Sequence, residues 1–379
     1  MNWKVFLAGA LCVLCAGCGM TEEQPVLVES SVNPYYTLKD VAKLLATVPL
    51  GTEQMTEVHD AAAASVANGY DEEYLMRDIF ACPGAGVGDG PGTRASKVYT
   101  TPLRDLLRQA ALATKAGDDA EALLDSLAVS DIQIYWPYSE NWDGKTLPIV
   151  TYDPGNADDT FNVGWLSSGE QVLVDEELAM ERPVWVVSNN SDAGYTSLEM
   201  LRRQDPTWGE GGGNIVIKPR ATEMKTLVLR SFTSHRQFDN WFAGASEFFV
   251  KAGSLKSMVF ASDDSLLEYR PEVTDFMIVV RRKQVDKELP FNAVIASEWV
   301  KSLTGIGFMI IEDDGGTITN WKCEAVGKYN SKSYGVEISI PVNSRDDIVW
   351  RGSLTRSYIE KFSGKPAGFG EVELVLELI

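Results

Sequence analysis

Histidine is scarce in this chain, and its few cysteines are unevenly placed. The 379 residues include two histidines and five cysteines, and three of the cysteines lie within the first 18 positions. After those positions the sequence contains no HExxH, GxSxG or paired CxxC motif. The commonest zinc-protease and esterase sites are therefore excluded. Whether the chain is an enzyme stays open, but the missing motifs favour a protein without catalytic activity.

The N-terminal apolar run is too short to cross a membrane. Val5 to Ala16 is a run of twelve apolar or small residues, whereas a spanning helix needs about 20 residues. A run of this length after the positive charge of Lys4 is typical of a secretory signal peptide. The small pair Ala16-Gly17 and then Cys18 follow it directly.

The segment LCAGC, Leu14 to Cys18, resembles the lipobox of bacterial lipoproteins, although Cys15 stands where an aliphatic residue is usual. The resemblance implies cleavage before Cys18 and attachment of diacylglycerol and palmitate-type acyl chains to that residue. Two or three such chains anchor a protein stably, whereas one does not. The alternative is an ordinary cleaved signal peptide with incidental cysteines.

Glu22 and Glu23, shortly after Cys18, resemble the acidic export tether of surface lipoproteins in Bacteroidetes-type bacteria. This second resemblance implies a protein anchored by lipid in the outer membrane. It would face either the periplasm or the cell surface.

Negative charge is concentrated in the first half of the chain. The formal net charge is −20. Residues 1–200 hold 11 Lys and Arg against 30 Asp and Glu, a net charge of −19. The negative electrostatic field of these residues repels phosphate backbones, so nucleic acid is excluded as a partner. The same field would keep the first half away from anionic headgroups, so we expect the membrane to be contacted through the N-terminal lipid.

The order of sequence patterns predicts an α+β protein. Leu38, Val41, Leu44 and Leu45 recur at helical spacing after Thr37, a candidate N-cap. Short alternating runs replace this pattern after residue 131, and many strand-like segments follow residue 214. The C-terminal segments predict an antiparallel β-sandwich, with a C2-like domain as one form of it. The predicted parts are a signal peptide (1–17), a lipidated tether (18–36), an acidic helical region (37–130), a mixed strand and loop region (131–213) and a β-sandwich-like domain (214–379).

An aromatic and acidic cluster in the middle of the chain is the candidate ligand-binding site. The segment YWPYSENW is too dense in aromatic residues for all of them to be buried on one strand face. Exposed aromatic rings can stack on sugars, and flanking carboxylates can bind hydroxyl groups. The alternative is that these rings belong to the core. The candidate residues are Trp136, Tyr138, Glu140, Trp142 and Asp143.

Pairs of aspartates at predicted turns are the candidate metal site. The hard cation Ca²⁺ takes roughly six to eight oxygen ligands, which loops at one end of a sandwich can supply. Aspartates also populate turns without a metal, because their side chains bond to the local backbone. The candidate ligands are Asp313, Asp314, Asp346 and Asp347. No cofactor is required by the sequence, but Ca²⁺ would fit these residues.

Two further cysteines remain after the lipobox. Cys82 and Cys323 would join the N-terminal and C-terminal parts if they paired, provided that their geometry permits a bond. Alternatively, Cys323 is a small buried apolar residue.

Three functions remain open from the sequence. The leading hypothesis is an extracytoplasmic binding or assembly module for a glycan, a peptide or a partner protein. The first alternative is a hydrolase of glycans or peptides that uses a pair of carboxylates, which must lie at defined separations. The second is a structural lipoprotein stabilised by calcium.

Overall fold

The computed structural model describes residues 36–81, 99–115, 117–156, 159–190, 192, 194–204, 224–260 and 266–379. Cys18 with the lipobox, most of the tether and Cys82 lie outside these ranges. Within them the chain is a mixed α+β protein with a β-rich C-terminal part, as the sequence predicts. None of the helices in the described ranges is both long and apolar enough to span a membrane.

The first helix begins where the sequence predicts. The Thr37 hydroxyl oxygen accepts a hydrogen bond from the Asp40 amide, and the Asp40 carboxylate accepts one from the Thr37 amide. This reciprocal cap satisfies amide groups that a helix leaves free at its N-terminus. The helices of the described ranges are α1 (Leu38–Thr47), α2 (Thr52–Ala67), α3 (Met76–Phe80), α4 (Leu103–Thr114), α5 (Gly117–Ala128), α6 (Glu176–Glu181), α7 (Leu198–Gln204) and α8 (Arg356–Phe362).

A six-stranded mixed sheet organises the first part of the chain. Its strands are β1 (Glu73–Leu75), β2 (Ile132–Tyr135), β3 (Ile149–Tyr152), β4 (Phe161–Trp165), β5 (Gln171–Asp175) and β6 (Val184–Asn189). Their order across the sheet is β1-β2-β6-β3-β4-β5. The pair β3 and β6 is parallel, and the other neighbouring pairs are antiparallel.

One hydrophobic core joins the early helices to this sheet. Leu45 of α1, Leu107 of α4 and Leu124 of α5 share it with Ile134 of β2 and Trp185 of β6. The described helices of residues 37–130 have no core separate from this one. Their apolar faces are buried on strands that follow later in the chain, because burial against a sheet removes more apolar surface from water.

Two antiparallel sheets form the second part of the chain. Their strands are β7 (Lys225–Ser234), β8 (Ser246–Phe260), β9 (Leu266–Val280), β10 (Leu289–Trp299), β11 (Leu303–Glu312), β12 (Ile318–Tyr329), β13 (Lys332–Asn343), β14 (Asp347–Thr355), β15 (Lys365–Phe369) and β16 (Val372–Leu378). One sheet has the order β10-β7-β16-β15. The other has the order β13-β12-β11-β8-β9, and β14 also pairs with β11. Both sheets bury side chains in the same hydrophobic core.

Buried and partly exposed residues alternate along the last strand. Val372, Leu374, Leu376 and Leu378 of β16 are buried in the core of the second part. The residues between them are more exposed, as expected when successive side chains of a strand point to opposite faces.

The two parts meet on the face of β8, β9 and β11 that points away from that core. Phe249, Met277 and Met309 of these strands pack there against Tyr70 and Met200 of the first part. A second apolar contact lies in the β7–β8 connection, where the buried Trp241 and Phe242 pack against Tyr135, Val184 and Val186 of the first sheet. Charged side chains lie beside these two contacts.

Candidate metal centre

Three carboxylates come together at one end of the second part. Asp239 lies in the connection between β7 and β8, Glu247 is the second residue of β8, and Glu312 is the last residue of β11. Because β8 and β11 are antiparallel with Glu312 opposite Phe248, the start of one strand lies beside the end of the other. One oxygen from each carboxylate lies within 4.8 Å of the other two. We call these residues the carboxylate triplet.

Backbone contacts hold the elements of the triplet in place. The amides of Phe238 and Asp239 donate to the Ser246 hydroxyl oxygen at 2.8 and 3.4 Å, which fixes the connection to the start of β8. The Asp313 amide donates to the Glu247 carbonyl at 3.0 Å, which ties the end of β11 to the same point. The triplet is therefore carried by two paired strands and one anchored loop.

Buried oxygens of this centre lack hydrogen-bond donors. The Glu312 side chain is 1% exposed, and no amide, hydroxyl or basic side chain in the described part of the chain donates to its Oε1 or to Oδ2 of Asp239. Nearby, Oδ2 of Asp71 accepts from the Ala245 amide at 2.8 Å, but Oδ1 has no partner there. Burying an ionised carboxylate without a partner is costly, so such oxygens call for a proton or a cation.

Burial and mutual repulsion raise the pKa of the three carboxyl groups of the triplet. Burial raises the pKa of Glu312, and a hydrogen bond to Asp239 and the charge of Asp239 raise it further. Burial also raises the pKa of Glu247, followed by the charges of Asp239 and Asp192. The pKa of Asp239 is raised to about 6 by burial, although the hydrogen bond from Glu312 offsets part of that effect. Without a cation the centre therefore keeps protons, and a divalent cation would displace them.

Basic side chains at the junction neutralise other acids. Arg282 contacts Glu176 at 3.1 Å and donates to the main-chain carbonyl of Asp239, not to its carboxylate. Arg281 and Lys283 lie 3.8 and 3.5 Å from Glu72. The charge of Arg282 lowers the pKa of Asp239 only as a secondary effect. The triplet thus retains an excess of negative charge that a metal ion could balance.

The four aspartates predicted as metal ligands lie beside the triplet, not in it. Asp313 is buried and its side chain interacts with that of Asp346, while Asp314 and Asp347 are exposed. The charges of Asp314 and Asp347 contribute to the raised pKa of Glu312. The predicted aspartates therefore lie near the triplet, but among the described residues only the triplet has its carboxylate oxygens at metal-ligand spacing.

The sequence reasoning missed the triplet itself. Glu312 directly precedes the predicted pair Asp313-Asp314, and this adjacency was the available signal. No local sequence feature marks Asp239 and Glu247 as metal ligands. They lie beside Glu312 because β8 pairs with β11.

The prediction that exposed aromatic rings bind a sugar is wrong for Trp136, because this residue is buried. This ring is 1% exposed and packs against Trp142 and Trp185, with ring centroids 5.6 and 5.9 Å apart. Trp142 is partly buried, and its Nε1 donates to the Thr146 carbonyl at 3.0 Å. Trp136 offers no free face to a sugar, because this part of the chain fills the core between helices and sheet.

The polar members of that predicted site have separate roles. The Tyr138 hydroxyl donates to Glu176 at 2.7 Å, and Glu140 forms an ion pair with Lys283. Both contacts belong to the junction between the two parts. Asp143 is exposed, and its carboxylate accepts from the amides of Lys145 and Thr146, so it caps a turn.

The chain was compared with protein-family models, curated proteins and solved structures, and none of the three comparisons found a match.

Proposed function

We propose that this chain is a lipid-anchored extracytoplasmic protein that binds Ca²⁺ at Asp239, Glu247 and Glu312. In this proposal the ion neutralises carboxylates of the second part that lie beside the junction, and the protein works as a binding or assembly module for a glycan, a peptide or a partner protein. The supporting observation is the carboxylate triplet, whose oxygens converge while two of them lack donors.

The donor set favours calcium over other metals. All three ligands are carboxylates, which suit hard cations, whereas zinc and copper sites usually include His or Cys. Mg²⁺ keeps several of its waters and needs near-ideal octahedral geometry. A buried set of carboxylates suits the larger and less demanding Ca²⁺ ion. The connection between β7 and β8 and the end of β11 would then hold calcium as loops of C2-like sandwiches do, and we propose that type of fold for residues 214–379.

The hydrolase alternative is less well supported. A glycosidase pair must meet its substrate in an open cleft, but Glu247 and Glu312 are 8% and 1% exposed. A buried triplet between two parts of a protein suits a stabilising ion better than a reaction with a polymer.

The test is thermal unfolding of metal-free protein with and without Ca²⁺. Free Ca²⁺ at roughly 100 times its Kd adds about 2.7 kcal/mol to the free energy of unfolding, so we expect Tm to rise by several degrees. Glu312→Gln should abolish this response yet unfold in chelator at or above the wild-type temperature, because an amide replaces a protonated acid. Asp143→Asn, a change at an exposed aspartate, is the matched control and should keep the full response. An unchanged wild-type Tm would refute the proposal.

The lipid anchor needs its own measurement. Mass spectrometry of the native N-terminus should find an acylated Cys18 as the first residue. An intact Met1, or Cys18 without acyl mass, would remove this part of the proposal while leaving the calcium site untouched.

A further inference from the structure

Strand β5 is an outer strand of the six-stranded sheet, and its outer side is unpaired. The strand order of that sheet ends with β4 and then β5. At the turn between these two strands the Leu166 amide donates to the Glu170 carbonyl at 2.9 Å. Because bonded and non-bonded residue pairs alternate along an antiparallel ladder, Gln171 and Leu173 direct their amides and carbonyls away from β4. No backbone hydrogen bond in the described ranges joins these two residues to a further element.

Other outer strands are protected against pairing with an additional strand. At the opposite edge of the same sheet, β1 is buried along its whole length. The strands at the ends of the two C-terminal sheets each contain a proline, which cannot donate a backbone hydrogen bond: Pro290 in β10, Pro366 in β15, Pro341 in β13 and Pro271 in β9. β5 has the sequence QVLVD, with neither proline nor lysine. Its edge therefore lacks the protection that these strands have.

Exposed apolar side chains lie along this edge. Leu173 of β5 is 66% exposed, and Phe161 at the start of β4 is 59% exposed. Leu173 is opposite Val163 in the register, and Phe161 precedes Val163 by two residues, so the three side chains leave the same face of the sheet. An additional strand with apolar side chains on this face would remove Leu173 from water.

Acidic side chains surround β5. Glu170 directly precedes the strand, Asp175 ends it, and Glu177 and Glu181 lie on α6. All four are exposed, and none of them has an ion-pair partner in the part of the chain that the structure describes. The two lysines of α1 lie over aromatic rings of β3 and β4. The charge beside β5 itself is therefore negative.

This charge determines which kind of strand would fit the edge. Pairing β5 with β5 of a second copy would bring the same acids together, and like charges on paired strands are destabilising. The net charge of −20 also repels a second copy as a whole. A strand that alternates Lys or Arg with Val or Ile would match both the acids and the exposed Leu173.

We propose that β5 binds an extended basic segment of a partner protein by strand addition. The segment would exchange backbone hydrogen bonds with Gln171 and Leu173, cover the Leu173 side chain and place its basic residues beside Glu170 and Glu177. This inference rests on the binding part of the proposed function, because it names the class of partner. It is independent of the calcium site.

The test measures the binding of synthetic peptides to the full chain, purified in detergent, with Ca²⁺ present. The probes alternate Lys with Val or Ile over about six residues, the length of an average strand. Fluorescence anisotropy should give a Kd below about 1 mM. This Kd should rise with salt concentration, because salt screens exposed charges. The same peptides with N-methylated amides on their pairing edge, or with Glu in place of Lys, should not bind.

Variants of the edge distinguish strand addition from a nonspecific attraction between charges. Leu173→Pro removes an outward amide but no hydrogen bond to β4, and it should weaken binding by about tenfold. Leu173→Thr keeps the amide in a strand-forming residue, so it is the matched control and should keep most of the affinity. The double change Glu170→Lys and Glu177→Lys should weaken binding of the Lys peptides and permit binding of the Glu peptides. It keeps the test decisive if Leu173→Pro does not fold.

The outcomes separate this proposal from the calcium site. Failure of every Lys peptide to bind, or equal binding of the N-methylated peptides, would overturn strand addition. An affinity that neither Leu173→Pro nor the double charge change alters would do the same. Self-association of the wild type that Leu173→Pro abolishes would assign the edge to a second copy instead. Peptide binding by a chain whose Tm does not respond to Ca²⁺ would refute the calcium site and leave this inference in place.

Discussion

Individual carboxylates at the junction have proton affinities that depend on whether a cation is present. Burial raises the pKa of Asp192 to about 7, with the charges of Asp71 and Asp313 as further causes. Burial and a hydrogen bond to Asp313 raise the pKa of Asp346 to about 7 as well. Both groups start from an ordinary value of 3.8. In the absence of metal, the folded protein therefore holds protons that the unfolded chain releases.

The expected pH dependence follows from this difference. Between about pH 4 and pH 7 the folded state binds more protons than the unfolded state, so stability falls as pH rises. We expect the Tm of metal-free protein to decrease from pH 5 to pH 8. Calcium binds the ionised carboxylates, so the increase in Tm that it produces should grow over the same range.

Differential scanning fluorimetry of metal-free and calcium-loaded protein measures both trends. The lowered pKa of Asp40 and Glu140 acts in the opposite direction, but at lower pH, where those groups ionise. A Tm of metal-free protein that rises between pH 5 and pH 8 would contradict the assignment of protons to the junction.

Helices and strands differ in how far the sequence determines them. The N-cap at Thr37 is a local pattern, and the structure confirms it. The sequence did not predict that β1 lies within the helical region or that β3 pairs with β6 in parallel. Strand pairing depends on residues far apart in the chain, so the local periodicity of the sequence does not predict it.

At the level of paired strands, Cys323 of β12 fits between two glycines. A Cβ atom at Gly253 of β8 would lie 2.9 Å from the Cys323 sulfur, and one at Gly307 of β11 would lie 2.2 Å from it. The thiol is free and buried, and burial raises its pKa to about 11. Cys323 is thus the small buried residue that the sequence left as one alternative, while Cys82 lies outside the described residues.

This packing predicts a non-additive pair of substitutions. Gly253→Ala should destabilise the protein by about 1–3 kcal/mol, because it overfills the space beside the sulfur. Cys323→Ala removes the sulfur. The double variant should therefore lose less unfolding free energy than the two single variants lose together. Urea unfolding of all four proteins gives the coupling energy. Strict additivity would show that the sulfur does not restrict this site.

At the scale of the whole molecule, buried carboxylates from both halves of the chain lie at the junction. Asp71 and Asp192 come from the acidic first 200 residues, and the triplet comes from the second half. The sequence located the acidic half and the aspartate pairs at the strand ends. It did not show that both halves direct carboxylates to one junction, because that depends on how the two parts dock.

The way the two parts are joined also predicts how they unfold. Each part has its own large hydrophobic core, and two smaller apolar clusters cross the junction between them. Ion pairs such as Arg282 with Glu176 also cross the junction, and the buried carboxylates oppose docking unless they are neutralised. A cation that neutralises the triplet would therefore favour docking of the two parts and couple their unfolding.

Differential scanning calorimetry should show one cooperative transition with Ca²⁺ and two transitions in metal-free protein. Glu312→Gln should reduce the effect of calcium on this coupling, whereas Asp143→Asn should behave as wild type. The contrary result is that metal-free protein unfolds in a single transition with the same Tm as calcium-loaded protein. In that case the junction is held by its ion pairs and apolar contacts. The carboxylates would then be neutralised by protons, and the role of the cation in joining the two parts would be wrong.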